Sequence, residues 1–126
     1  MTLTKLLLTA FVFSAATLAQ ALESKPYDAA TFAAAQKAGK STALHFHANW
    51  CPTCKKQSAS LAQLKADKNL DVTVFVADYD TEKALKKTYN VTAQSVIIVF
   101  KGAKEKARLA GQTEPADIQL ALAKGL

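Results

Sequence analysis

The chain has 126 residues, half of them apolar, enough for one globular domain and too few for two. Its net charge of +6 is carried by scattered lysines without interleaved aromatic residues. That pattern argues against a nucleic-acid surface and suits solubility, with a preference for acidic partners.

The chain opens on a targeting pattern: Lys5 as a charged n-region, Leu6 to Ala16 as an apolar h-region, and Ala19-Gln20-Ala21 as a small-x-small cleavage site. Residues 1–21 are expected to be removed as a signal peptide, leaving 22–126 as one domain. The apolar run is short of the ~20 residues of a membrane span and is interrupted by Thr9, Ser14 and Thr17, so no stable membrane insertion is expected. Position 22 is Leu rather than Cys, which does not suggest lipid attachment there. The expected product is an exported, soluble, periplasmic protein. Two thiols with none left over suit an oxidising compartment.

Leu22 to Tyr27 reads as a lead-in or weak edge strand. Asp28 can cap a helix through Ala38, with Phe32 and Ala35 inward and Gly39 ending it. Thr42 to His47 is an apolar, partly alternating run, the pattern of a buried strand. A helix is predicted from about Cys51 to Ala66, broken by Asp67-Lys68-Asn69. Val72 to Ala77 is β-branched and predicts the next strand. Asp80 or Thr81 is expected to cap a third helix reaching about Tyr89. Val96 to Phe100 has the continuous apolar character of a buried strand, and Gly102 turns it into an alternating edge strand, Lys104 to Ala110. Thr113-Glu114-Pro115 opens a last helix with Ile118, Leu120 and Leu122 as its apolar residues. Strands separated by helices, then a terminal hairpin and helix, predict an α/β fold: a three-layer sandwich with a mixed sheet covered on both faces.

The chemistry concentrates in Asn49-Trp50-Cys51-Pro52-Thr53-Cys54-Lys55, which holds both cysteines and the only tryptophan. The cysteines fall where a strand ends and a helix begins. Unpaired N–H groups and a partial positive charge at a helix start favour a thiolate, so Cys51 should ionise more easily than a free cysteine. Cys54 lies about one turn along the same face, within disulfide reach. Pro52 suits the first turn, where its missing N–H costs nothing. Three uses of the pair stand at this point: dithiol–disulfide exchange, half of a metal site, or an inert structural bridge. A closed zinc site would need a second ligand pair, and His45 and His47 are the only histidines.

With Trp50-Cys51-Pro52-Thr53-Cys54-Lys55 are Asp78-Tyr79-Asp80, Tyr89-Asn90-Val91, the Val96–Gly102 strand and Gly111. On these residues the sequence resembles the thioredoxin family over nearly all of Pro26 to Leu126. The resemblance implies a thioredoxin-like fold in which Cys51 is the exposed attacking thiol and Cys54 the buried resolving one. The Pro-Thr dipeptide is similar to that of periplasmic reductases serving cytochrome c maturation, although there is no room here for their central insertion. Three positions depart from the family. Ser95, preceded by Gln94, stands where thioredoxins place a cis-proline facing the cysteines. His45 stands for a buried aspartate assigned to proton transfer with the resolving cysteine, and Val76 for its companion lysine. His45 is therefore a candidate proton acceptor for Cys54, the alternative being a neutral, hydrogen-bonded core residue. His47 shares its face of the strand and reads as structural. Trp50 reads as a packing lid, and Lys55 as a solvated residue able to favour the Cys51 thiolate. A serine at 95 predicts a trans Gln94–Ser95 peptide.

The resulting expectation is a periplasmic thiol–disulfide oxidoreductase of the reductase type. Its catalytic residues are Cys51, Cys54 and His45, surrounded by Trp50, Pro52, Thr53, Lys55, Gln94 and Ser95. No cofactor beyond the Cys51–Cys54 disulfide is expected. Partners are protein thiol or disulfide substrates and a membrane or periplasmic electron donor, with no nucleic acid and a monomeric chain. The alternatives are a module binding Cu(I) or zinc through the two cysteines, opened by the lost proline, and a non-catalytic interaction domain.

Overall fold

The computed structural model describes residues 21–126. The leader reading falls almost entirely on residues 1–20, outside the described residues. In chain order the elements are β1 (Glu23–Pro26), α1 (Ala29–Lys37), β2 (Ser41–His47), α2 (Pro52–Leu64), β3 (Thr73–Asp78), α3 (Lys83–Thr88), β4 (Val96–Lys101), β5 (Lys104–Ala110) and α4 (Pro115–Ala123). Among the described residues no helix is long and apolar enough to cross a membrane.

The strands form one mixed sheet in the order β1-β3-β2-β4-β5. β3 runs parallel to β1 and β2, whereas β4 runs antiparallel to β2 and β5. The lead-in segment is thus a true edge strand. Alternation along each strand divides the core in two. Ala43, Val74, Ile97 and Val99 pack with Leu61 and Leu64 of α2 and Ile118 and Leu122 of α4. Leu44, Phe46, Phe75, Ile98 and Phe100 pack on the other face with Phe32 of α1 and Leu85 of α3. The three-layer architecture is the one expected.

Helix starts follow their side chains. Asp28 accepts hydrogen bonds from the Thr31 N–H at 2.8 Å and the Thr31 hydroxyl at 2.6 Å, which hold its carboxyl below the usual range. Gly39 follows α1 with φ +71°, a left-handed turn that glycine adopts without strain. One detail differs from the sequence expectation. The third helix has Glu82 at its N-cap position with no side-chain capping bond, so neither Asp80 nor Thr81 caps it. Asp80 instead accepts the Trp50 indole N–H at 2.8 Å. In α4 the buried residues are Ile118, Ala121 and Leu122, a spacing of three and four, while Leu120 falls outside that stripe and is 67% exposed.

Candidate active site

The sheet register brings the site together. Phe46 of β2 pairs with Val96 of β4, so the residue before β4 lies beside the end of β2 and the start of α2. There Cys51 and Cys54 form a disulfide with Cα atoms 5.3 Å apart. Cys51 is itself the N-cap of α2, with extended backbone, and its sulfur accepts the Cys54 N–H at 3.1 Å. Pro52 occupies the first turn, where no N–H is needed. A sulfur that caps a helix receives an aligned N–H and the positive end of the helix dipole, both of which favour a thiolate.

Exposure does not separate the two thiols. Cys51 is 1% exposed and Cys54 fully buried, correcting the expectation of an open attacking thiol. Ala48 and Tyr79 pack against the pair, and Ser95 contacts both sulfurs. What separates them is hydrogen bonding, since only Cys51 takes a backbone N–H.

Ser95 adopts φ +64°, and no cis peptide bond occurs among the described residues. Its N–H donates to the Phe46 carbonyl at 3.0 Å. Its carbonyl accepts the Gly111 N–H and a Gln57 amide N–H, each at 2.9 Å. These three bonds hold a backbone conformation that a serine rarely adopts. Its Oγ lies 3.1 Å from both Cys51 Sγ and Cys54 Sγ. A disulfide sulfur has no proton, so in this oxidised state the hydroxyl is the donor. Proline, with φ fixed near −65° and no N–H, does not fit this backbone, so Ser95→Pro would rebuild the loop as well as remove the hydroxyl.

His45 is fully buried on the α2 face, with Nε2 2.9 Å from Gln57 Oε1. The Gln57 amide nitrogen donates to the Ser95 and Gln112 carbonyls, both at 2.9 Å. Gln57 Oε1 must therefore accept, which places the proton on His45 Nε2 and leaves Nδ1 buried without a partner. Burial lowers the imidazole pKa to about 4; the Gln57 hydrogen bond opposes that shift and nearby His47 adds to it. The expected imidazole–thiol contact is not among the hydrogen bonds of the site: Cys54 Sγ meets Ser95 Oγ and, at 4.0 Å, the Phe46 carbonyl.

The remaining expected residues lie around this centre. Trp50 is 58% exposed and tethered to Asp80. Pro52 and Lys55 are exposed, while Thr53 and Gln94 are half-buried. Gln57 is the residue that sequence reasoning missed. Its signal was present: a glutamine three residues after Cys54 and four before Leu61 sits on the inward stripe of the helix. Among the described residues no group of three or more His, Cys, Asp or Glu is placed to hold a metal ion.

A mixed sheet sandwiched by helices, with an oxidised Cys-x-x-Cys pair at a strand–helix junction, defines a protein built around a dithiol–disulfide couple. The family model for thioredoxin matches residues 23–124. A thioredoxin from Echinococcus granulosus is 32% identical over 90 residues, covering 71% of this chain and 83% of that one. An H-type thioredoxin from Brassica campestris is 31% identical over 78 residues, covering 62% of this chain and 63% of its own. Mycobacterial thioredoxins are matched over 62% of their length, so the chain spans about three fifths of several curated relatives. Trxlp from Edwardsiella tarda EIB202 superposes with a TM-score of 0.74 at 32% identity, covering 79% of this chain and 98% of that one. The chain belongs to the thioredoxin family, a family of thiol–disulfide oxidoreductases.

Proposed function

We propose that this chain is a thiol–disulfide oxidoreductase that reduces protein disulfides in the periplasm, without a cofactor other than its own cysteine pair. The observation that carries the reading is the Cys51–Cys54 pair at the start of α2, with the Cys54 N–H directed at Cys51 Sγ. In the dithiol form the Cys51 thiolate attacks a substrate disulfide. A Cys51–substrate bond forms, and one substrate sulfur leaves as a thiolate and takes a proton. Cys54 then loses its proton and attacks Cys51 Sγ, releasing the second substrate thiol. Two electrons pass from the cysteine pair to the substrate, and a dithiol donor on the membrane or in the periplasm returns them.

His45 enters as a neutral anchor for Gln57. An imidazole with a pKa near 4 is uncharged at neutral pH and too weak a base to draw a proton from a thiol. Trp50, Thr53 and Gln94 border the cysteines and form the surface a substrate meets, and Lys55 adds positive charge there. The leader pattern supports export.

Cys54→Ser should trap substrates as mixed disulfides on Cys51, visible as non-reducing adducts that a reductant dissolves. Cys51→Ser should trap none. Absence of adducts with Cys54→Ser in periplasmic extract would overturn the reading. A reduction potential near the thioredoxin value of about −270 mV supports the reductase direction, and one near about −120 mV reverses it.

A further inference from the structure

We propose that the Ser95 hydroxyl is a catalytic donor that serves the two sulfurs in turn, stabilising Cys51 in the dithiol and Cys54 in the mixed disulfide. The inference rests on the exchange reading above and assigns a group acting within it.

The two sulfurs differ in the donors they reach. Cys51 Sγ has two, the Cys54 N–H and the Ser95 hydroxyl, each at 3.1 Å. Cys54 Sγ has one, the same hydroxyl at 3.1 Å. Its other polar neighbour, the Phe46 carbonyl at 4.0 Å, is an acceptor. That carbonyl favours the protonated thiol, so it opposes the ionisation that Cys54 needs in order to attack. With the pair buried, water does not make up the difference, and an unsolvated thiolate without a donor is costly.

One hydroxyl can meet both demands because they arise at different times. In the dithiol, charge sits on Cys51; Ser95 donates to it and accepts from the Cys54 thiol. In the mixed disulfide, Cys51 Sγ is bonded to substrate and carries no charge. Rotation about the Ser95 Cβ–Oγ bond then directs the proton to Cys54 Sγ. The Cys54 proton is the one that the departing substrate thiolate takes up, or it passes to buffer. The Cys51–Cys54 bond forms as the Cys51–substrate bond breaks, and its electron pair departs on the substrate sulfur. The serine ends each step as it began, neither oxidised nor ionised.

The backbone around Ser95 is built for this placement. The Phe46 carbonyl, the Gly111 N–H and the Gln57 amide fix its left-handed conformation, leaving the hydroxyl directed at the sulfurs. Gln57 is in this sense a positioning residue.

The test is single-turnover reduction of 5,5′-dithiobis(2-nitrobenzoate). The first thionitrobenzoate released reports attack by Cys51, and the second reports resolution by Cys54. Ser95→Gly removes the hydroxyl and suits the positive φ; Ser95→Ala keeps the Cβ and repeats the measurement. Circular dichroism checks that both are folded. Attack should slow by less than about tenfold, because the Cys54 N–H remains, whereas resolution should slow by about tenfold to a hundredfold, the worth of a lone hydrogen bond to a charged group. The mixed disulfide should accumulate. Equal slowing of both steps, slowing of attack alone, or no change would overturn the proposal while leaving exchange intact. A wild-type protein that releases no thionitrobenzoate would sink the exchange reading, and this one with it.

Discussion

The two faces of the sheet are covered by similar elements and filled in different ways. The face under α1 and α3 is aromatic: Phe32 meets Phe75 and Phe100 edge-on at 5.3 and 5.7 Å, and Tyr89 meets Phe100 at 5.2 Å. The face under α2 and α4 is aliphatic and carries a buried polar seam. His45 and Gln57 lie in it, and nearby Ser60 donates to the Thr113 carbonyl at 2.5 Å. Apolar packing is sensitive to lost volume and has only a weak preference for ring orientation. A buried hydrogen-bonded seam demands orientation at every atom. The molecule keeps its directional groups on the face that leads to the sulfurs and leaves the other face to packing.

The largest effect that would separate the faces is Phe32→Ala. Loss of this ring should destabilise the protein by about 3–5 kcal/mol in urea denaturation. Its exchange rate per folded molecule should stay within about twofold, and a much larger fall would mean that the faces are coupled.

Acid should act on the seam. His45 stays neutral in the fold down to about pH 4, against an ordinary value of 6.5. Between those values the unfolded chain binds more protons than the folded one. The His45 contribution is therefore whole above about pH 6.5 and falls as the pH drops towards 4, by on the order of 3 kcal/mol. Denaturation of wild type and His45→Leu at pH 7 and 4.5 should show this extra acid sensitivity in wild type alone. The same acid sensitivity in both proteins would remove His45 as its source.

Gln57→Leu leaves the Ser95 and Gln112 carbonyls and His45 Nε2 without their partner, at a stability loss of about 1–3 kcal/mol. Unlike Phe32→Ala, it should also slow the resolving step in the two-phase thiol release. A variant that loses stability with unchanged kinetics would make the seam purely structural. The smallest effect belongs to the exposed tether. Trp50→Phe removes the bond to Asp80 and should change stability by less than about 1 kcal/mol.

The division into strands and helices was legible because each segment carried a clean local pattern bounded by turn residues. The β-branched run at Val72–Ala77 and the apolar run at Val96–Phe100 each became the strand they predicted, to within a residue or two. The Cys51–Cys54 pair was legible from its spacing alone. Other features depend on competition between distant partners, which one chain segment does not display. Asp80 had the chemistry of a helix cap, yet its carboxylate lies on Trp50, 30 residues away in sequence. Leu120 shares the apolar character of Ile118 and Leu122, yet the three-and-four spacing buries Ala121 instead. The burial of Cys51 and the amide orientation of Gln57 are set by residues from four separate stretches of the chain.

The sulfur of Cys51 caps α2, so the start of this helix changes chemically whenever the pair changes oxidation state. A thermodynamic cycle joins the folded and unfolded chain in its dithiol and disulfide forms. Each donor that favours the thiolate in the fold also meets the disulfide sulfurs, but it acts more strongly at the reduced, folded corner, where the sulfur is charged. What it adds to the reduced protein's resistance to unfolding, beyond what it adds to that of the oxidised protein, makes the pair a stronger oxidant by the same free energy. The difference between the unfolding free energies of the two forms is therefore a direct reading of electron affinity relative to the unfolded chain. Where the folded pair is more reducing than the same pair in the unfolded chain, the disulfide form is the harder of the two to unfold.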